Sequence, residues 1–177
     1  MFKRLIQYPD MEWISIDGSH IRAHQSSSGA ASSIPQSIAK SAGGNSSKIH
    51  MIVESHGHPL DFLISDGATH DIKVAQDLMS RIDLSETNVV NADKGYDSED
   101  FREYISQRGP HPNIPRKRNS KQGNDHMDWY IYKSRHVVEN VFARLKHFRG
   151  IATRFDKLKD NYASGVALAC ALIWLKL

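Results

Sequence analysis

YKSRHVVENVFARLK, residues 132–146, is the stretch on which the reading of this chain turns. Wound as an α-helix at about 100° per residue, it brings Tyr132, Arg135, Glu139 and Lys146 within about 60° of one another. Ile131, Val138, Val141, Phe142 and Leu145 fall on an adjacent apolar face. One side therefore packs, and the other gathers one carboxylate among two cations and a phenol. A helix exposed only to water scatters its charges or pairs them four residues apart. One acid among bases predicts a site that handles a metal ion and a polyanion, with further ligands supplied from elsewhere.

Composition bounds what those ligands can be. The 177 residues suffice for one domain with a sizeable core, and 40% apolar with 24% charged residues is a globular balance. The single Cys170 excludes a disulfide framework and a cysteine-based zinc site, as expected in a reducing cytosol. The first ten residues lack the apolar segment of a signal peptide. The apolar run at 163–175 is too short for the ~20 residues that span a bilayer, so it predicts a buried helix and no membrane partner. A net charge of +3 hides an asymmetry: residues 1–115 carry 10 Lys/Arg against 15 Asp/Glu, and residues 116–159 carry 12 against 4. A basic block around the long helix suits phosphate backbones, although a solvated basic face has the same composition.

The order of elements follows from periodicity. Residues 13–23, WISIDGSHIRA, alternate as a strand that carries Asp17 near its centre or end. Residues 26–47 hold nine Ser, with Gly29, Gly43 and Gly44, and are expected to form a long mobile loop. Residues 48–54 and 60–65 predict a hairpin, 69–82 a helix, and 88–92 a short strand ending on Asp93. A helix over 99–108, capped by Asp97 or Ser98, a brief strand near 113–115, a helix over 128–149 stopped by Gly150, and a helix over 162–175 complete the chain. A hairpin followed by βαβ-type crossovers is an α/β fold, a mixed sheet with helices on its faces.

Asp17, Asp93 and Glu139 stand at or near element ends. Ligand sites in open α/β sheets gather at the carboxyl ends of strands, so Asp17 and Asp93 on neighbouring strands would share one mouth, with Glu139 lowered onto it. Three hard carboxylates suit Mg²⁺ or Mn²⁺, and two such ions can clamp the attacking and leaving oxygens of a phosphodiester. Singly, each acid has a plainer role: a turn before Gly18, a pair with Lys94 or a cap on a turn, an ion pair with Arg135. His20, His24, His50, His56 and His58 offer a conceivable zinc set, but their spacing fits no standard one.

These residues resemble a known family. Tyr132, Arg135, Glu139 and Lys146 match the Tyr-x2-Arg-x3-Glu-x6-Lys signature of bacterial insertion-sequence DDE transposases, in the group named for insertion sequence five and its relatives of number four. Ala92-Asp93-Lys94-Gly95-Tyr96-Asp97 and Ile16-Asp17-Gly18-Ser19-His20 match its other two motifs. Ser47-Lys48-Ile49-His50, residues 67–71 and Arg154-Phe155-Asp156-Lys157-Leu158 are similar too, so the likeness runs from about Trp13 onward. It implies a single RNase H-like catalytic domain over 1–177, with Asp17, Asp93 and Glu139 as ligands of two Mg²⁺ or Mn²⁺ ions. Tyr132, Arg135 and Lys146 are then expected to hold phosphates near the metals. Arg116, Lys117, Arg118, Lys121, Arg149, Arg154, Lys157 and Lys159 are expected to track the DNA.

The implied activity is cleavage of transposon-end DNA followed by transfer of the freed 3′-OH into target DNA, by a homodimer in the bacterial cytoplasm at the nucleoid. Members of the family carry a DNA-binding region ahead of the first catalytic strand, and only about a dozen residues precede Trp13 here. That predicts the downstream frame of a split element, fused in the cell to the upstream frame's product. The alternative is a truncated, non-catalytic product that binds DNA and regulates. Another RNase H-like nuclease, such as a resolvase, is disfavoured by the Tyr-Arg-Glu-Lys spacing.

Overall fold

The structure, a computed structural model, describes residues 2–41 and 43–176. Strand β1 (Trp13–Ala23) is its axis. It runs antiparallel to β3 (Gly44–Val53), which in turn pairs along its far edge with β4 (Pro59–Asp66) and the short β2 (Ala39–Ser41). On its other edge β1 runs parallel to β5 (Val89–Ala92) through its first half and to β7 (Thr153–Arg154) through its last residues. β6 (His111–Asn113) lies parallel to β5. Among the described residues this makes a mixed seven-stranded sheet.

The two-residue period of β1 and β3 sorts two cores. Ile14, Ile16 and Ile52 face α1 (Ile72–Met79) and α2 (Glu99–Gln107), with Leu78, Met79, Tyr96, Phe101 and Ile105. Ile21, Ile49, Met51 and Val53 face the opposite layer. That layer consists of α4 (His136–Lys146), α5 (Arg149–Ala152) and α6 (Lys159–Trp174). α4 contributes Val138, Val141, Phe142 and Leu145, the apolar stripe expected of it.

Three expectations are corrected. The helix expected over 128–149 is three pieces, α3 (Trp129–Lys133), α4 and α5. Asp128 caps α3 through Tyr130 N–H and Ile131 N–H. The N–H groups of Ser134, Arg135, Val137 and Val138 then bond three residues back rather than four, which tightens the junction before α4. Phe148 is extended and ends α4, and Gly150 lies inside α5 rather than stopping a helix.

Second, part of the expected Ser/Gly loop is strand. Gly44 to Ser47 begin β3, and the buried hydroxyls of Ser46 and Ser47 donate to Ser41 Oγ and the Ser37 carbonyl. Serine is tolerated there because those bonds satisfy it.

Third, Arg154 tracks nothing outside the protein. It is fully buried at 0% exposure. Its guanidinium donates to the carbonyls of Asp156, Ser37 and Lys157 and to Ser47 Oγ, and it lies over the Tyr162 ring at 5.2 Å. It thereby ties β7, the segment before β2, and β3 to α6. Lysine cannot make that fork of bonds, so Arg154→Lys is expected to cost about 2 kcal/mol or more of stability. Urea unfolding without DNA checks this; a residue serving only DNA would leave the midpoint unchanged.

Candidate active site

The register of β1 on β5 builds the site. Ile16 pairs with Ala92, and because β5 ends there, Asp93 leaves the strand beside Asp17. Both acids thus stand at one point of the sheet edge, where β1 runs on and β5 stops. The backbone holds each of them. Asp17 Oδ1 accepts from Gly18 N–H at 2.7 Å, and Asp93 Oδ1 accepts from Gly95 N–H at 2.7 Å as the chain turns through Lys94–Tyr96.

α4 delivers the rest. Arg135, at its start, donates from one guanidinium nitrogen to Asp17 Oδ2 at 2.8 Å and from another to Glu139 Oε1 at 2.5 Å. Lys146, three turns along, donates to Ser19 Oγ at 2.7 Å, on the same face of β1 as Asp17. Tyr132 reaches this group from α3: the Arg135 guanidinium lies 6.0 Å from its ring centre, and Trp129 packs against the ring edge-on. The break between α3 and α4 does not scatter the four residues: Arg135 meets Asp17 and Glu139, Tyr132 lies on Arg135, and Lys146 meets Ser19.

Asp17 is a carboxylate short of positive charge. Burial pushes the Asp17 carboxyl above the ordinary range, and the Asp93 charge adds to this. The Gly18 N–H and Arg135 pull the other way without cancelling it. Burial works against the Arg135 charge, yet Asp17 and Glu139 hold its pKa above the usual value. Asp17, Asp93 and Glu139 offer only hard oxygen donors, a chemistry that fits Mg²⁺ or Mn²⁺ and not a soft metal. Their spacing is open: the Arg135 guanidinium stands between Asp17 and Glu139, and among the described residues no three His, Cys, Asp or Glu groups converge as a metal cluster. The histidines do not form one either. His56 and His58 both turn Nδ1 onto Glu54, and His24 packs on Phe155.

This site sits in a chain whose residues 8–174 match the model of the transposase DDE domain family. The chain belongs to that family. It is 33% identical over 129 residues to a protein named as a transposase for insertion sequence element IS6501 in Brucella ovis, an alignment covering 73% of this chain and 98% of the relative. It is 32% identical over 136 residues to one named for element IS402 in Burkholderia cepacia, covering 72% of this chain and 62% of that relative. The mixed sheet between two helical layers is thus the RNase H-like fold of DDE transposases. No helix among the described residues is long and apolar enough to cross a membrane.

The basic residues expected to track DNA divide. Lys117, Arg118, Lys121, Arg149 and Lys157 are exposed, and Lys159 is half-buried. Arg116 is largely occupied within the protein, paired with Asp97 and Glu99 and bonded to Gln122. Of the two residues expected to cap α2, Ser98 takes the cap position, without a side-chain bond. Asp97 instead accepts from Arg102, from Arg116 and from the Lys117 N–H at 2.7 Å, pinning the basic segment to α2. The sequence carries no sign of this, because the partners lie five to twenty residues away.

The raised Asp17 pKa has a consequence for stability. The folded state holds that proton more tightly than the unfolded chain, where the value is 3.8. Stability is therefore lost as pH rises from 3.8 through the folded pKa. Asp17→Asn is expected to melt at least as high as the wild type at neutral pH, with the difference closing below 3.8. Thermal melts followed by circular dichroism across this range check it.

Proposed function

We propose that this chain is the catalytic domain of a transposase that cuts transposon-end DNA and joins the freed end to target DNA. One observation carries the reading: Asp17 on β1 and Asp93 just past the end of the parallel β5 follow the paired Ile16 and Ala92, and the Arg135 fork links Asp17 to Glu139 on α4. Asp17, Asp93 and Glu139 would hold two Mg²⁺ or Mn²⁺ ions. Such ions, when bound, supply the Lewis-acid charge that polarises the scissile phosphodiester.

The reaction has two in-line displacements. Water attacks the phosphate at the transposon end, the bond to the 3′ oxygen breaks, and that oxygen leaves as a 3′-OH. The 3′-OH then attacks a target phosphate and displaces a target 3′ oxygen. Arg135 and Lys146 carry the charge that meets the non-bridging oxygens as they gain negative charge. Their tethers orient them: Lys146 through Ser19, and Arg135 through the Tyr132 ring. Lys117, Arg118, Lys121, Arg149, Lys157 and Lys159 follow the backbone of the duplex, with Arg116 as an anchor of that segment. A homodimer on DNA at the nucleoid completes the proposal.

The test is cleavage and joining of the element's end DNA by this chain with Mg²⁺. Activity is expected to vanish with EDTA and return with Mg²⁺. Glu139→Gln is expected to lose at least about 100-fold in rate, and Arg135→Ala about as much, with DNA affinity largely kept. A Glu139→Gln protein that cuts as well as the wild type would sink the catalytic assignment. Tight DNA binding with no cleavage would favour the regulatory alternative.

A further inference from the structure

Behind Asp17, on the opposite face of the sheet, lies a second charged cluster. β1 and β3 pair Gly18 with His50 and His20 with Lys48, so these four residues share the α1 face, while Asp17 and Ser19 share the other. Asp71, at the start of α1, points its carboxylate into this face. It makes no capping bond to its own helix. Instead its Oδ1 lies 3.2 Å from Lys48 Nζ and 3.2 Å from His50 Nδ1. Lys48 and His50 are both buried; Lys48 is further held by the Thr69 carbonyl at 3.1 Å, and His50 Nε2 by Ser65 Oγ at 2.7 Å.

Contact with the strand acid runs through Gly18. A Cβ built on Gly18 would stand 2.3 Å from Asp71 Oδ1, far inside van der Waals contact. The carboxylate therefore lies directly on the backbone whose N–H, that of Gly18, donates to Asp17 Oδ1. A lone charged cluster could serve stability alone. This one abuts the peptide that orients Asp17, and nothing in the proposed chemistry uses it.

We propose that Asp71, flanked by Lys48 and His50, is a positioning residue. It presses on the Gly18 backbone and so sets the angle at which Asp17 presents its carboxylate to a divalent ion. The inference rests on the reading of Asp17 as a metal ligand. Groups one layer behind a metal ligand commonly change affinity by 10–100-fold, and a device acting through backbone contact belongs at the lower end of that range.

The test is Mn²⁺ affinity of the full chain without DNA, read by electron paramagnetic resonance, with melting temperature measured on the same samples. D71N and G18A are each expected to weaken Mn²⁺ binding by about tenfold. In the double variant the effects should not add, because both act through one contact. K48M/D71L removes both charges and is expected to regain melting temperature without regaining Mn²⁺ affinity. Wild-type affinity in folded D71N or G18A, or affinity returning together with stability in K48M/D71L, overturns the inference. D17N separates the two readings. If D17N loses Mn²⁺ while the D71N and G18A proteins bind normally, only the positioning role fails. If D17N binds Mn²⁺ like the wild type, the metal reading fails and the positioning role with it.

Discussion

One guanidinium holds the candidate site together. Arg135 donates to Asp17 on the sheet and to Glu139 on its own helix, and so compensates charges that would otherwise repel at the sheet edge. The pairing is four residues apart on one side and 118 apart on the other. Its local half alone would be a surface ion pair of small consequence. Its long-range half joins α4 to β1, where the apolar stripe from Val138 to Leu145 seats the helix and Lys146 meets Ser19.

The sheet's contribution is one of register. Parallel pairing of β1 with the short β5 places two aspartates side by side because β5 ends at Ala92 while β1 continues. Slipping that register by a residue would turn Asp17 or Asp93 to the other face. Two buried cores guard against the slip: Ile14, Ile16 and Ala92 pack against α1 and α2, and Ile21, Ile49 and Met51 against α4 and α6. The hydrophobic packing thus sets the position of the acids, although no acid belongs to it.

Polar groups play the same structural part where the chain has few apolar ones. Ser46 and Ser47 enter the sheet because Ser41, Ser37 and Arg154 satisfy them. Asp97 anchors the basic segment through Arg102, Arg116 and the Lys117 N–H, which leaves Lys117, Arg118 and Lys121 displayed on a fixed base. In each case a group that composition reads as loop or as DNA contact is spent inside the protein.

The amino-acid order alone determined the local and periodic facts. It placed strands by alternation, the stripe of α4 by its three- and four-residue spacing, and the group of Tyr132, Arg135, Glu139 and Lys146 by helical angle. The three spaced motifs also marked the family and hence the fold. Tertiary structure alone decided what depends on distant partners. It broke the long helix at Ser134, where bonds three residues back tighten the turn. It buried Arg154 among three carbonyls and the Ser47 hydroxyl, and it set Asp71 and His50 against Gly18 with Lys48 on Asp71. A cation's sequence neighbours do not show whether its charge will meet water, a phosphate or a buried carbonyl. That is settled by which surfaces pack, and packing joins residues more than a hundred positions apart.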